Sequence, residues 1–192
     1  MKKILIATRN NDKFAIISKL LSSNNFKNSI FYSLNDIEEI IVDKKETGDI
    51  SQRSFQKAFN SYNNVKNNYD FIVGIDDGIK IKGEIIENVK NYIKPIINDE
   101  FLVENEKLFI VRAYTFINKY GKSKTIITEI PFKYKKLKEK IDILENSYPL
   151  SYVLSPIGSS KVVTELNEDA SNKYYLKFSQ VEFNEIENFF NQ

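Results

Sequence analysis

The sequence predicts an α/β domain, and three patterns carry the prediction. Near the amino terminus a short apolar run, Ile4-Leu5-Ile6-Ala7, gives way to a polar loop and then to apolar residues at helical spacing, Phe14, Ile17, Leu20 and Leu21. Mid-chain, Phe71-Ile72-Val73-Gly74-Ile75 is an unbroken apolar run of the kind buried on both faces of a sheet. Further on, residues 108–118 and 123–132 read as two strands around Lys119-Tyr120-Gly121-Lys122, a hairpin. At 192 residues, 42% of them hydrophobic, the chain can bury one sizeable core and is short for two ordinary domains. A single domain over residues 1–192, with room for two lobes, is expected.

The remaining elements follow in order. Asn10, Asn11 or Asp12 can cap the first helix, because each offers a side-chain oxygen to the free N–H groups of the first turn. Residues 29–32 read as a second strand and 37–42 as an extended, partly acidic segment leading to Glu46-Thr47-Gly48. From 50 to 62 the pattern is helical, with Ile50, Ser54, Ala58 and Tyr62 on one line. The strand at 71–75 is expected to end at Asp76-Asp77-Gly78 and to resume over 79–82. Residues 84–97 look helical until Pro95 disturbs them. A charged helix is expected over 133–144, a turn-bearing loop over 152–158, an ambiguous short run over 162–166, and a closing helix over 180–190.

Composition excludes more chemistry than it nominates. The chain has no cysteine, which removes disulfides, thiolate catalysis and Cys-bound zinc. It has no histidine, so imidazole acid–base chemistry and His-bound metals are excluded as well. Carboxylate, lysine, hydroxyl and hard, oxygen-bound metal remain. A net charge of +2 supplies no global field for nucleic acid or an anionic membrane. The first apolar run stops at Thr8, far short of a signal sequence or a membrane span, and the expected location is the cytoplasm.

Two loops carry chemistry. In the first, Thr8, Asn10 and Lys13 stand where a strand meets a helix amino terminus, a place that favours anions through free N–H groups and the helix dipole. The same residues also make an ordinary capped helix. In the second, Asp76-Asp77-Gly78 follows a buried strand. Paired carboxylates there suit a Mg²⁺ that keeps several of its waters, whereas an Asp-Asp-Gly hairpin turn accounts for the same residues without a ligand.

Taken in order, these loops and several later segments resemble the inosine triphosphate pyrophosphatase family, hydrolases of non-standard purine nucleotides. Thr8-Arg9-Asn10-Asn11-Asp12-Lys13 resembles the family's Thr-Gly-Asn-x-x-Lys, with Arg9 in place of Gly. Glu46 resembles its glutamate before a Gly-containing turn, and Lys57 its helix-borne lysine. Ile75-Asp76-Asp77-Gly78-Ile79 resembles Asp-Asp-Ser-Gly-Leu, and Tyr92-Ile93-Lys94-Pro95 a further lysine segment. Leu154-Ser155-Pro156-Ile157-Gly158, Glu165 and the run from Ser171 to Lys177 fall at the spacing of Phe-x-Pro-x-Gly, a glutamate and Lys-Asn-x-x-Ser-His-Arg.

The resemblance implies a two-lobed fold with a central mixed, twisted sheet flanked by helices. It implies hydrolysis of a nucleoside triphosphate to the monophosphate and pyrophosphate, with Mg²⁺ held by Glu46 and Asp76. Asp76 or Asp77 would handle the attacking water. Lys13, Lys57 and Lys94 would neutralise phosphate charge, with Thr8, Arg9 and Asn10 beside them and Ser171 and Lys177 at the substrate. Arg9 would either clasp a phosphate or crowd it. A homodimer is also implied.

Against the family pattern, residue types facing phosphate and metal are kept, whereas those enclosing the base are not. Leu154 replaces an aromatic, Ser151 an acid, Ser171 a lysine and Leu176-Lys177 the His-Arg pair. A base is selected by stacking and by fixed hydrogen bonds, so an altered base preference, or a weakly catalytic nucleotide-binding or partner-binding relative, is expected.

Overall fold

The computed structural model describes residues 1–24, 26–38, 41, 45–87, 89, 95–97, 102–137 and 149–191. The chain divides into two compact units, one of residues 1–76, 112–128 and 179–192, the other of residues 77–111 and 129–178. Its strands belong to a seven-stranded sheet, and three of them run from one unit into the other.

The first unit opens with β1 (Lys2–Ile6), α1 (Asn11–Ser23) and β2 (Ser29–Ser33). β1 lies parallel to β2 on one side and to β3 (Phe71–Ile81) on the other, with Ile4 opposite both Phe31 and Phe71. Ile4, Leu5 and Ile6 are all apolar and fully buried, the pattern of a parallel strand whose two faces are both covered. Asn10 caps α1 by accepting a hydrogen bond from the Lys13 N–H at 2.8 Å, and Ile17, Leu20 and Leu21 form its buried face.

Helix α2 (Ile50–Val65) begins with a capping box. Asp49 accepts from the Gln52 N–H while the Gln52 side chain accepts from the Asp49 N–H. Its buried line, Ile50, Ser54, Ala58, Ser61 and Val65, is small where it crosses β3. A Cβ placed on Gly74 would meet the Ser54 carbonyl oxygen at 2.0 Å and the Ala58 nitrogen at 2.5 Å, so only glycine admits the helix at this distance. A hydroxyl chain fixes it further, running from Ser54 to Thr115 and on to Thr125 at 2.8 Å per step. Those two threonines lie on β5 (Lys107–Asn118) and β6 (Ser123–Tyr134), whose connecting turn is the expected hairpin. The closing helix, here α4 (Gln180–Asn191), buries Phe183 edge-on against Tyr114.

In the second unit β3 continues through Asp76-Asp77-Gly78 without a break, contrary to the expected strand end. The hairpin turn comes later, at Lys82 and Gly83, both with positive φ as a two-residue turn requires. It leads into β4 (Glu84–Ile86), antiparallel to β3, which replaces the start of the helix expected over 84–97. Residues 95–97 are helical. β6 extends to Tyr134 because Lys133 and Tyr134 pair with Ser155 and Leu154 of β7 (Leu154–Pro156). That pairing removes the start of the helix expected over 133–144, whose later part, from 138, lies outside the described residues, and it makes a three-residue strand, Leu154–Pro156, inside the turn-bearing loop expected over 152–158. Val163–Glu165 is a 3-10 turn. Helix α3 (Glu168–Lys177), capped by Asn167, had no counterpart among the expected elements, since its apolar face is weakly patterned.

Gly74→Ala is expected to lower stability by at least ~1–3 kcal/mol through overpacking against the α2 backbone. Urea unfolding measures it, and an unchanged midpoint would contradict the close approach.

Candidate functional site

From β1 the chain crosses through α1 to β2 on one side, and later returns through α2 to β3 on the other. Such a reversal opens a crevice at the carboxyl ends of the two central parallel strands, where ligands bind in α/β sheets. Two candidate segments meet there. Ala7 N–H donates to the Val73 carbonyl at 2.8 Å, so the Thr8–Asn10 loop leaves β1 beside the stretch of β3 that leads to Asp76.

That loop is shaped largely by its own side chains. The Thr8 hydroxyl accepts from the Asn10 N–H at 3.2 Å, and the Asn10 carboxamide oxygen is engaged in the α1 cap. Arg9 Nη2 donates to the Ile41 carbonyl at 2.7 Å, which ties its guanidinium to the segment between β2 and α2. Lys13 is at the third position of α1, and Asp12 beside it already sets a negative charge in the first turn.

The strongest electrostatic feature is a cluster built on Asp76. Lys57 Nζ donates to Asp76 Oδ1 at 2.6 Å and Arg53 Nε donates to Asp76 Oδ2 at 2.6 Å. Arg53 and Lys57 stand four residues apart on α2, one turn, so both reach the same carboxylate. Lys57 Nζ also lies 3.2 Å from Glu46 Oε2 and donates to the Ile75 carbonyl at 3.2 Å. Arg53 Nη1 donates to the Gly48 carbonyl at 2.8 Å, joining Asp76 to the turn that follows Glu46. Gly48 holds φ near 87°, and a side chain there would run into Gln52 of the capping box.

Only 13% of the Asp76 side chain is exposed, as for Arg53, so these contacts act at reduced screening. Burial pulls the Lys57 pKa down, but attraction to Asp76, the hydrogen bond to it and the charge of Glu46 together raise it above the ordinary lysine value. Lys57 therefore remains an ammonium at neutral pH and serves as a cation, not as a base.

The other nominated residues are placed as follows. Asp77 is half-buried on β3, and strand alternation turns it to the face opposite Asp76. Lys94 lies outside the described residues. Ser171 and Lys177 lie on α3 in the second unit, Ser171 half-buried and Lys177 exposed over the Phe178 ring. Leu154 is fully buried in β7, and the Tyr174 hydroxyl holds the loop after it, accepting from the Ile157 N–H and donating to the Pro131 carbonyl. Arg53 was not nominated. Its signal was available as a second cation one helical turn before Lys57. A cavity of about 380 Å³ at the amino end of α2 includes Thr47, Gln52, Phe55 and Thr125 in its lining, and none of the four charged groups lines it.

A strand-switch crevice, a carboxylate bound by cations from a crossing helix and a capped loop at the next strand define an α/β protein with a charged cluster at its central parallel strands. Solved structures sharpen the fold. The chain is similar to a nucleoside-triphosphatase, also described as a dITP/XTP pyrophosphatase, from Mycobacterium abscessus, with 17% identity, a TM-score of 0.58 and coverage of 94% of this chain and 96% of that one. It is also similar to a HAM1 protein from Coxiella burnetii, with 12% identity, a TM-score of 0.68 and coverage of 98% and 99%. For the Ham1 protein of Staphylococcus aureus the values are 13%, 0.62, 99% and 98%. No protein-family model matches the sequence, and no curated protein matches it. The chain has the fold of these proteins, a mixed sheet flanked by helices, in agreement with the resemblance drawn from its motifs. Among the described residues no helix is long and apolar enough to cross a membrane.

Lys57→Met is expected to lower stability by about 1–3 kcal/mol, the scale of lost hydrogen bonds to a charged group. Because the folded-state pKa is raised, the Lys57 contribution is fully present below its unfolded value of 10.5 and is lost as pH rises through the folded value. The stability gap between wild type and Lys57→Met, from urea unfolding, should hold steady up to about pH 10 and shrink above it. A gap that widens there would contradict the assignment.

Proposed function

We propose that the protein is a Mg²⁺-dependent pyrophosphatase that splits a nucleoside triphosphate into the monophosphate and pyrophosphate. The observation that carries this reading is the convergence of Glu46 and Asp76 on one ammonium at the strand-switch crevice, with Arg53 on the far carboxylate oxygen. The Mycobacterium abscessus protein of the same fold, a dITP/XTP pyrophosphatase, supports it.

Two carboxylates that already share a cation fit a hard, oxygen-binding metal. Glu46 and Asp76, which converge on the Lys57 ammonium, are the residues that would hold Mg²⁺. When bound, Mg²⁺ supplies positive charge to the phosphate oxygens.

Each side chain then has a task. Lys57 offsets the negative charge that grows on the leaving pyrophosphate as the bond from the α-phosphorus to the bridging oxygen breaks, while Arg53 stays on Asp76. Asp76 orients the attacking water through a remaining lone pair, its proton passing to solvent. Of the two acids nominated for the water, Asp76 is the one that shares the Lys57 ammonium with Glu46. Lys13 and Lys94 add positive charge along the triphosphate, and Thr8, Arg9 and Asn10 present the β1 loop to it. Ser171 and Lys177 contact the nucleoside end.

Base choice departs from a preference for hypoxanthine and xanthine. A leucine offers no ring to stack, and Leu154 is fully buried. One observation favours binding without turnover as a second reading: both Asp76 oxygens already accept a hydrogen bond from a cation, which leaves that carboxylate less room for a metal and a water together.

A screen of standard and modified nucleoside triphosphates with Mg²⁺, read by pyrophosphate release, should find turnover without strong selectivity for inosine or xanthosine triphosphate. Asp76→Asn should lower kcat/KM by about 10²–10³-fold. Wild-type protein that binds triphosphates yet releases no pyrophosphate would favour the second reading.

A further inference from the structure

We infer that Arg53 makes metal entry depend on the triphosphate, an assignment that rests on the reading above. Glu46 and Asp76 carry two negative charges, and Arg53 and Lys57 two positive ones, so these side chains sum to zero. A bare divalent cation raises that sum to +2 and meets two fixed cations already holding the Asp76 oxygens. A metal–triphosphate complex has net negative charge and is attracted by the same pair. The metal therefore arrives with its substrate.

The two cations differ in how they are held. Lys57 is a point charge on a flexible stem. Arg53 is fixed at two ends by a rigid fork, with Nε on Asp76 at 2.6 Å and Nη1 on the Gly48 carbonyl at 2.8 Å. Lys57 can turn toward phosphate while Arg53 stays as the fixed counter-charge of Asp76. Arg53 is thus a positioning residue that guards the carboxylate and keeps it aligned with the turn after Glu46.

The test uses Mn²⁺ alone, followed by calorimetry and electron paramagnetic resonance, and Mg²⁺–tripolyphosphate, a probe with no base. Wild type should bind Mn²⁺ alone only weakly. Arg53→Gln should bind Mn²⁺ alone about tenfold more tightly, because one repelling charge at close range is gone, and should bind Mg²⁺–tripolyphosphate more weakly. Arg53→Lys, which keeps the charge, should stay near wild type toward Mn²⁺. Opposite signs for the two probes separate this effect from misfolding, which weakens both. Tight Mn²⁺ binding by wild type without phosphate, or no gain in Arg53→Gln, would overturn the inference. If Arg53→Gln does not fold, the wild-type Mn²⁺ titration decides by itself. Failure of the proposed hydrolysis would appear separately, as no pyrophosphate release by wild type from any triphosphate.

Discussion

The close approach of α2 to β3 is the constraint on which the site depends. Gly74 has no side chain, Ser54 and Ala58 present only small ones, and the helix backbone settles almost onto the strand. Each one residue before a packing position on the same helix, Arg53 and Lys57 are thereby brought within 2.6 Å of a carboxylate two residues beyond Gly74. A larger residue at any of the three packing positions would lift the helix and with it both cations. The hydroxyl chain from Ser54 to Thr125 and the capping box at Asp49 hold the helix in rotation and at its start.

The cluster pairs its charges within itself. Partly buried ion pairs recover their desolvation only when geometry and hydrogen bonding are good, and here each Asp76 oxygen has its own donor at short distance. Such an arrangement adds little to stability compared with apolar packing, so its value lies in what it holds ready. A lysine already held beside that carboxylate needs little reorganisation to act on phosphate, which is how preorganised sites lower barriers. Arg9 joins the first loop to the connection between β2 and α2, because its guanidinium reaches the Ile41 carbonyl.

Where burial wrote a strong pattern, the sequence was legible. Ile4 to Ile6, the α1 face, the α2 line as far as Ala58 and the hairpin after β5 all follow from apolar periodicity and turn chemistry, and of the three candidate caps Asn10 is the one used. Errors gathered where local signals competed. Asp76-Asp77-Gly78 looked like a strand end because carboxylates are rare in central strands, yet helix-borne cations compensate Asp76 inside β3. Lys82-Gly83 makes the two-residue turn without the usual Asn or Asp, so β4 passed for helix. At the site, Glu46, Lys57 and Asp76 were nominated through a family resemblance, whereas Arg53 was missed because no motif names it and only the folded geometry brings it to Asp76.

The most direct test of the proposed site is a crystal structure with Mg²⁺ and a non-hydrolysable nucleoside triphosphate analogue. Glu46 and Asp76 should be the side chains that hold the metal, with Lys57 turned toward phosphate oxygens and Arg53 still on Asp76. Phosphates bound away from Lys57 and Asp76, or a metal held without either acid, would contradict it.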